Sequence, residues 1–400
     1  MEQSGFACPN QFAYRKGLGT CDALLTIDEL CQKALDAGHE VRLVQVDFSA
    51  AFDRVNHAGI LHKLQDVGIG GHLLSIFREY LTERTQTVVV DGQSSQQFNI
   101  VSGVPQGSVL GPLLFNIYTR ELASVLENTF VGYADDSTLL AIITSPKNRV
   151  TVAQSLIRDL ITLQAWCKVW GMLLNLGKTK AMLISRSRTD HPRHPDITIG
   201  DMTLENVTEL RILGLILDTK LTFERHVRTV VSSIVQKLGI LRIAWSVYQD
   251  PQLVARCFWG LLLPIVEYCS PVWGSAVDGH LNLLDSVVRK VTHMSNGLVQ
   301  CDLRHRRNVA ALCMLYKIRA NECHPLNHRL PQAYVAPRAL RHHERRHSHQ
   351  LSPVHCRTEQ YKRAFVPCIS RLWNELGQDV VFEEGLQRFK TSANRSLLAA

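Results

Sequence analysis

Two adjacent aspartates, Asp135 and Asp136, interrupt an apolar stretch that reads FVGYADDSTLL from residue 130 to residue 140. The residues on either side are typical of strands, so we predict a β-hairpin with the aspartates at its tip. Carboxylates this close together resist joint ionisation, and a pair in a folded site normally needs a cation or a shared proton. Aspartate is also a common turn residue, and a solvated turn is the alternative that this stretch alone leaves open.

Length and charge limit the classes of protein to be considered. A chain of 400 residues exceeds one ordinary core and predicts two or three domains. The net charge of +8 favours a polyanionic partner, with nucleic acid as the first candidate. The longest apolar run, FWGLLLPIV at 258–266, is shorter than the roughly eighteen residues of a membrane span, and the N-terminus does not resemble a signal peptide.

The eleven cysteines are scattered, and no two of them form a C-x-x-C pair. This usage is typical of reduced thiols in a cytosolic or nuclear protein. Cys301, Cys313, Cys323 and His324 do not have the spacing of a zinc site. We therefore expect a nuclear or cytoplasmic protein that is neither secreted nor bound to a membrane.

Strands alternate with helices over roughly residues 40–215, which predicts an α+β fold with an antiparallel sheet backed by helices. The first strand, VRLVQVDF at 41–48, is rich in valine and carries Asp47 near its end. The other predicted elements include two helices over 57–81, a hairpin turning at Asp91-Gly92, a long helix over 149–170, and two strands joined by a turn at Gly177.

The C-terminal half is predicted to be helical and basic. From Phe223 to Trp245 apolar residues share one helix face, whereas four cations lie off it and could grip phosphates: Arg225, Arg228, Lys237 and Arg242. The segment 301–363 has thirteen Lys or Arg against four Asp or Glu. Its net charge of +9 exceeds the +8 of the whole chain. We expect the middle of this segment, around 325–360, to be an extended or disordered connector.

A third carboxylate completes a possible metal site. If the strand ending at Asp47 lies beside the predicted hairpin, Asp47 comes close to Asp135 and Asp136. Such hard oxygen ligands suit Mg²⁺ or Mn²⁺. Two such ions, about 3.5 to 4 Å apart, activate an attacking oxygen and stabilise a leaving one in phosphoryl transfer.

The chain resembles the reverse transcriptases of non-LTR, LINE-type retrotransposons of the jockey-like kind. The resemblance rests on motifs in the family's order: QFAYRKGLGTCDAL, VDFSAAFDRVNH, GVPQGSVLGPLLFNIY, YADD, NLGKTKAML and LGLILDTKLTFERHV. It implies a right-hand polymerase with a palm sheet backed by helices, partial fingers and a helical thumb. The implied segments are partial fingers at 1–40, palm at 41–222, thumb at 223–300 and a basic, partly disordered C-terminal extension at 301–400.

The resemblance implies RNA-directed DNA synthesis on an RNA template, with a DNA primer and deoxynucleotides. Asp47 and Asp135 would hold the two ions, with Asp136 as a further acidic group of the metal site. Phe52 would be an aromatic gate against a 2′-hydroxyl, although a core phenylalanine remains an alternative. Gln106 would contact the nucleotide or its template base, and Gly107 would let the backbone approach closely.

Basic residues of the motifs would complete the site. Lys178 would lie near the leaving pyrophosphate, with Lys180 as its rival. Arg15 and Lys16 would touch the triphosphate or the template, although an ordinary basic loop explains them nearly as well. LGLILDTKLTFERHV would form the primer-grip strands that lead into the thumb.

The chain departs from the family's pattern at its start. Met1 lies only ten residues ahead of QFAYRKG, so we expect an N-terminally truncated enzyme with part of the fingers missing. We find no endonuclease, zinc-knuckle or ribonuclease H signature. A catalytically inactive fragment that binds nucleic acid, a metal-dependent nuclease, and a related polymerase such as a maturase or telomerase remain alternatives, and the oligomeric state is open.

Overall fold

The computed structural model describes residues 8–187, 194–334 and 347–399. Its α-helices are α1 Thr20–Asp36, α2 His57–Asp66, α3 Gly71–Leu81, α4 Leu110–Tyr118, α5 Arg149–Trp170, α6 Glu224–Tyr248, α7 Pro251–Cys257, α8 Leu263–Glu267, α9 Ser270–Trp273, α10 Asp278–Met294, α11 Leu303–Ala320, α12 Glu359–Arg363, α13 Phe365–Glu375, α14 Gln378–Val381 and α15 Leu386–Ala399. Its strands are β1 Glu40–Val46, β2 Thr85–Gln86, β3 Val89–Val90, β4 Gln93–Ser94, β5 Phe98–Asn99, β6 Thr129–Tyr133, β7 Asp136–Ile143, β8 Lys180–Ile184, β9 Thr198–Ile199, β10 Met202–Thr203, β11 Glu205–Asn206, β12 Glu209–Ile212 and β13 Leu215–Asp218.

The chain divides into two compact units. The N-terminal unit contains residues 1–23, 40–183 and 187–208, and the C-terminal unit contains residues 24–39, 184–186 and 209–400. This division is coarser than the four segments predicted from the sequence. Their identities as fingers, palm, thumb and extension therefore stay predictions.

A five-stranded sheet in the order β11-β8-β1-β7-β6 organises the N-terminal unit. The β1/β7 and β6/β7 pairs are antiparallel, and the short β11/β8 pair at one edge is parallel. Helix α5 packs on β7 and buries Leu156, Leu160 and Leu163, whose spacing keeps them on one helix face. The mixed α/β content and the predicted central sheet are confirmed.

Two local predictions in this unit have different outcomes. The hairpin at 85–99 forms as predicted, with Asp91 and Gly92 at positive φ between β3 and β4. The first of the two strands predicted around Gly177 is wrong, because Leu174 makes only one bridge, to Phe48. The chain turns directly after it, where Asn175 accepts hydrogen bonds from the backbone of Lys178.

Helix α6 belongs to the C-terminal unit and packs on α10 and on β13. The predicted apolar face is buried at Val227, Val230, Ile234, Leu238 and Leu241. By length and composition alone α6 could cross a membrane, contrary to the expectation that no segment comes close. The reason is that only Lys237 and Arg242 interrupt the turns after Arg228, so those turns are apolar on average. Core helices of soluble proteins pass the same test, which makes this weak evidence.

The described residues of the connector predicted around 325–360 make long-range contacts, which argues against disorder for them and leaves the extended alternative as a prediction. Leu326 and Leu351 are buried, and Ala333 forms a bridge with Leu351. His347 Nε2 lies 2.9 Å from the Trp373 carbonyl in α13. These apolar residues are too isolated in sequence to show a period, yet they are buried by distant helices. Residues 335–346, which contain the centre of the basic run, lie outside the described part of the chain.

Candidate active site

The register of three strands brings the predicted carboxylates to one edge of the sheet. Val46 pairs with Ser137, so the next residue in this antiparallel register, Asp47, is level with Asp136. Tyr133 pairs with Asp136 across the hairpin, which leaves Ala134 and Asp135 as its tip. The predicted hairpin and its neighbouring strand are therefore present.

The charges of the other two carboxylates act on Asp136. Partial burial raises the pKa of the Asp136 carboxyl, and the charges of Asp135 and Asp47 raise it further. A raised pKa means that the ionised form is destabilised by its surroundings. A cation at this edge of the sheet would relieve the repulsion.

The chemistry of the donor set fits a hard divalent cation, because carboxylate oxygens are the ligands that Mg²⁺ takes in proteins. Within residues 8–187, 194–334 and 347–399, however, no three His, Cys, Asp or Glu side chains converge closely enough to enclose an ion. The arrangement thus supplies acidic oxygens at one edge of the sheet, and it does not define a complete set of metal ligands.

Gln11 holds the tip of the hairpin from a distant part of the chain. Its Oε1 accepts a hydrogen bond from the Ala134 N–H at 2.8 Å, and its Nε2 donates to the Ala134 carbonyl at 3.0 Å. Ala134 has φ 56°, a left-handed value that is uncommon for a residue with a Cβ atom. Gln11 is only 2% exposed, so these hydrogen bonds are shielded from water. They stabilise the backbone that carries Asp135.

The backbone of Asp47 is held by the turn that follows α5. Asn175 N–H donates to the Asp47 carbonyl at 2.8 Å, and the Asp47 N–H points to Thr179 Oγ1 at 3.4 Å. Thr179 is fully buried and donates through its hydroxyl to the Asn175 carbonyl at 2.8 Å. The end of β1 and the GKTK turn are therefore tied together by hydrogen bonds.

Phe52 lies half-buried in an aromatic group. Its ring stacks on Phe115 with centroids 4.2 Å apart, and Tyr14 meets it edge-on at 6.4 Å. The stacking satisfies the core interpretation, and the partial exposure leaves a ring surface for a ligand. Both interpretations of Phe52 are compatible with this environment.

The loop carrying VPQG docks on the residues that follow Phe52. Val104 N–H donates to the Phe52 carbonyl at 3.0 Å, and Gln106 Nε2 donates to Asp53 Oδ1 at 2.7 Å. A Cβ atom on Gly103 would lie 2.9 Å from the Asp53 backbone, whereas one on Gly107 would meet no protein atom within 4 Å. The close approach to protein in this loop is therefore made by Gly103, and the approach to a nucleotide predicted for Gly107 stays a prediction. Gly107 is explained by its φ of 78°.

Residues 2–217 match the family described as "Reverse transcriptase (RNA-dependent DNA polymerase)", and they contain the sheet, the hairpin and every residue of the carboxylate edge. This chain belongs to the reverse transcriptase family.

Individual relatives agree with the predicted resemblance to jockey-like elements, which is confirmed. The chain is 28% identical over 313 residues to "RNA-directed DNA polymerase from mobile element jockey" of Drosophila funebris. This alignment covers 74% of this chain and 33% of the relative. The chain is also 28% identical over 285 residues to "Probable RNA-directed DNA polymerase from transposon BS" of Drosophila melanogaster, covering 68% and 31%. The chain therefore spans about a third of the length of these relatives.

Among solved structures, apo telomerase from Candida tropicalis aligns with a TM-score of 0.41 and 11% identity, over 74% of this chain and 49% of that one.

The two candidate lysines of this reverse transcriptase differ in their surroundings. Lys180 forms an ion pair with Glu205 at 3.1 Å. Lys178 is exposed at the turn that holds Asp47, and its side chain makes no ion pair within the described residues. Lys178 thus keeps an ammonium without a carboxylate partner among these residues, and its role at the pyrophosphate stays a prediction.

Arg15 has a structural use that the sequence did not predict. Its guanidinium Nη1 lies 3.0 Å from the Pro9 carbonyl, 3.1 Å from the Gln11 carbonyl and 3.4 Å from the Cys8 carbonyl. These contacts tie down the segment that carries Gln11. Lys16 is exposed beside it and makes an interaction of its own.

The four cations predicted to grip phosphates from the first thumb helix all lie on the exposed side of α6. Arg228 pairs with Glu224 at 2.8 Å, and Arg225 lies 3.6 Å from Glu209. Lys237 and Arg242 have no such acidic partner among the described residues. The uncompensated positive charge of the helix is therefore concentrated in its later turns.

Gln11, Asn175 and Thr179 support the site but were not singled out from the sequence. All three lie in the family motifs or directly beside the candidate lysine. Their partners are distant in the chain, and no local pattern indicates which backbone group a polar side chain will meet.

Proposed function

We propose that this chain catalyses RNA-directed DNA synthesis, in which a primer 3′-hydroxyl attacks the α-phosphate of a deoxynucleoside triphosphate on an RNA template. Family membership of residues 2–217 supports this reaction class. The observation that carries the proposal is the strand register that brings Asp47, Asp135 and Asp136 to one edge of the sheet. Acidic oxygens at a sheet edge are what the reaction requires to hold its cations.

Asp47 and Asp135 would hold two Mg²⁺ or Mn²⁺ ions, with Asp136 as a further acidic group. When bound, these ions would supply charge neutralisation for the attacking and leaving oxygens. Gln11 would keep Asp135 in position through the Ala134 backbone. Asn175 would do the same for Asp47. The protein's own contribution is thus a preorganised acidic edge.

The nucleotide would contact the loop and the turn that flank this edge. Phe52 would present its ring to the sugar, and Gln106 would exchange its bond to Asp53 for one to the nucleotide or template base. Gly107 supplies a backbone that no Cβ atom shields. Lys178 would neutralise charge on the leaving pyrophosphate. Arg15 and Lys16 would act at the triphosphate or template only if Arg15 released the carbonyls that it now binds.

The finer architecture belongs to this proposal. The central sheet and its helices would be the palm, residues 1–40 part of the fingers, and residues 223–300 the thumb. Arg225, Arg228, Lys237 and Arg242 would contact the backbone of the template–primer duplex, which makes binding salt-dependent and largely independent of base sequence. A nuclear or cytoplasmic location is supported by the eleven cysteines, none of which forms a disulfide bond within the described residues.

The decisive experiment is primer extension on an RNA template with Mg²⁺ and four deoxynucleotides, comparing the chain with Asp135→Asn. We expect extension only with the unsubstituted chain and equal RNA affinity for both, because the substitution removes one charge and keeps the shape. Extension by the variant would refute the assignment of Asp135. Loss of extension in both chains, with RNA binding retained, would identify an inactive fragment that only binds nucleic acid.

A further inference from the structure

A cavity of about 270 Å³ lies in the C-terminal unit, between α9, the start of α10, α11 and α13. Apolar side chains such as Leu281, Phe365 and Ile369 form part of its wall. Its polar lining is dominated by arginines contributed from separate stretches of the chain: Arg304, Arg307, Arg363 and Arg371. No part of the reaction proposed above uses this cavity.

The lining has a clear excess of positive charge. Asp278 is the one carboxylate among the described residues that line the cavity, and Arg304 pairs with it at 2.8 Å. Arg363 Nε donates to the Ser275 carbonyl at 3.3 Å, and Arg371 donates to the Lys362 carbonyl at 2.9 Å. Because carbonyl oxygens carry no net charge, these bonds fix the two guanidinium groups without neutralising them.

Arg307 is the most shielded of the four. Burial lowers the pKa of its guanidinium, and Arg304 adds to this effect, whereas Asp285, Asp302 and Asp278 oppose it. Those carboxylates act through space, since Arg307 forms no ion pair with any residue that the structure describes. A guanidinium stays protonated at neutral pH even so, and a shielded charge calls for a partner.

Two buried polar atoms of the lining lack a hydrogen-bond partner within the described residues. One is Arg307 Nη1, and the other is Oγ of Ser270, a residue that is 1% exposed. Leaving such atoms unpaired is unfavourable, and more so when the group is charged. Both residues line the cavity and both atoms are closed off from solvent, so a ligand would complete their hydrogen bonds once the side chains turn toward it.

We propose that this arginine cavity binds a phosphate group, supplied by a nucleic-acid backbone or by a free nucleotide. A phosphate carries several acceptor oxygens that point in different directions, so it can accept from Ser270 and Arg307 at once and still face Arg363 and Arg371. Guanidinium groups bind phosphate through paired N–H donors. The cavity is wide enough for one phosphate with its ester substituents.

This phosphate site is separate from the proposed polymerase reaction. The experiment that tests the site does not require polymerase activity. Thermal unfolding of the full chain is measured in sodium phosphate and in sodium chloride at equal ionic strength. We expect phosphate to raise the unfolding temperature of the unsubstituted chain and to lose this effect in Arg307→Gln. Arg388→Gln removes the same charge from an exposed position of the same unit and serves as the matched control.

Binding of a single-stranded RNA of about twenty nucleotides distinguishes the two sources of phosphate. If the ligand is a strand, Arg307→Gln weakens RNA binding and lowers the slope of log affinity against log salt by about one, whereas Arg388→Gln does not. If the ligand is a free nucleotide, Arg307→Gln keeps the RNA affinity of the unsubstituted chain and loses only the stabilisation by phosphate. Ser270→Ala, which keeps every charge, should reduce the phosphate effect in either case.

The proposal is overturned if Arg307→Gln and Ser270→Ala respond to phosphate as the unsubstituted chain does. Should Arg307→Gln fail to fold, Ser270→Ala and Arg363→Gln provide the same comparison. The polymerase assay with Asp135→Asn reports separately, so failure of one proposal leaves the other intact.

Discussion

Gln11 binds both backbone groups of Ala134, although the two residues are 123 positions apart in the chain. The amide accepts from the Ala134 N–H and donates to its carbonyl, at 2.8 and 3.0 Å. Ala134 directly precedes Asp135 and has a left-handed backbone. One buried side chain thus stabilises the conformation of the hairpin tip on which the acidic edge depends.

Gln11→Leu should reduce the rate of nucleotide addition more than it reduces substrate binding. Loss of both hydrogen bonds lets the tip move, and misplacement of a reacting group by about 1 Å can lower kcat up to a hundredfold. We expect a fall of about tenfold to a hundredfold in kcat with little change in KM, and about 1–3 kcal/mol less stability.

Steady-state primer extension at saturating template tests this expectation, with the Mg²⁺ requirement measured in parallel. Gln65→Leu, at an exposed position of α2, is the control for the change of side chain. A Gln11→Leu enzyme with normal kcat and normal Mg²⁺ dependence would show that the clamp serves stability alone.

Two glycines of the VPQG loop should respond differently to alanine. Gly103→Ala meets the Asp53 backbone at 2.9 Å and also strains a φ of 87°, so it should cost about 2–5 kcal/mol. Gly107→Ala has open space around it and should cost only the strain of its φ, about 1–2 kcal/mol. Urea unfolding of both variants gives the comparison, and the reverse order would contradict the observed docking of this loop.

Lys178 and Lys180 in GKTK provide a matched pair of alanine variants whose activities can be compared. Lys178→Ala should lower kcat by about 10²–10⁴-fold if its ammonium protonates or neutralises the leaving pyrophosphate. Lys180→Ala breaks an exposed ion pair with Glu205, which contributes less than about 1 kcal/mol, and should leave kcat nearly unchanged. Single-turnover incorporation of one nucleotide measures the step directly. Equal losses in the two variants would remove Lys178 from the proposed mechanism.

Glu29 should make the stability of the chain depend on pH. Burial raises its pKa to about 7, against the hydrogen bond from the Tyr361 hydroxyl at 2.8 Å and the charges of Lys33 and Arg329, which lower it. Asp28, whose own pKa is raised by burial and by Glu29, is its acidic neighbour.

Between the ordinary glutamate pKa of 4.5 and about 7, the folded chain holds a proton at Glu29 that the unfolded chain has released. Stability therefore falls as pH rises through this range and levels off above it. Glu29→Gln removes this loss and should stabilise the chain at pH 8 by up to about 3 kcal/mol, with little effect below pH about 4.5. Thermal unfolding at several pH values tests this; a variant difference that does not change with pH would refute it.

The predictions that are confirmed depend on neighbours in the chain. The turn at Asp91-Gly92 requires positive φ at both residues, and these two residue types adopt it readily. The apolar period of α6 is visible in the sequence because a helix repeats its burial every few residues. Asp135 lies at the hairpin tip and Asp136 begins β7, because apolar strands flank the two aspartates on both sides. The order of the motifs likewise indicates the family, since each motif is defined by residue type and spacing alone.

Tertiary structure decided which distant groups meet. The register of β1 against β7 places Asp47 level with Asp136. Gln11 forms hydrogen bonds with Ala134, which lies 123 positions later in the chain. The arginine cavity gathers side chains whose positions follow no sequence period. By itself the sequence determined the local conformations and the acidic residues available for catalysis, because both depend on residue type and spacing. Long-range hydrogen bonds and shared burial depend on how whole elements pack, and no local pattern encodes them.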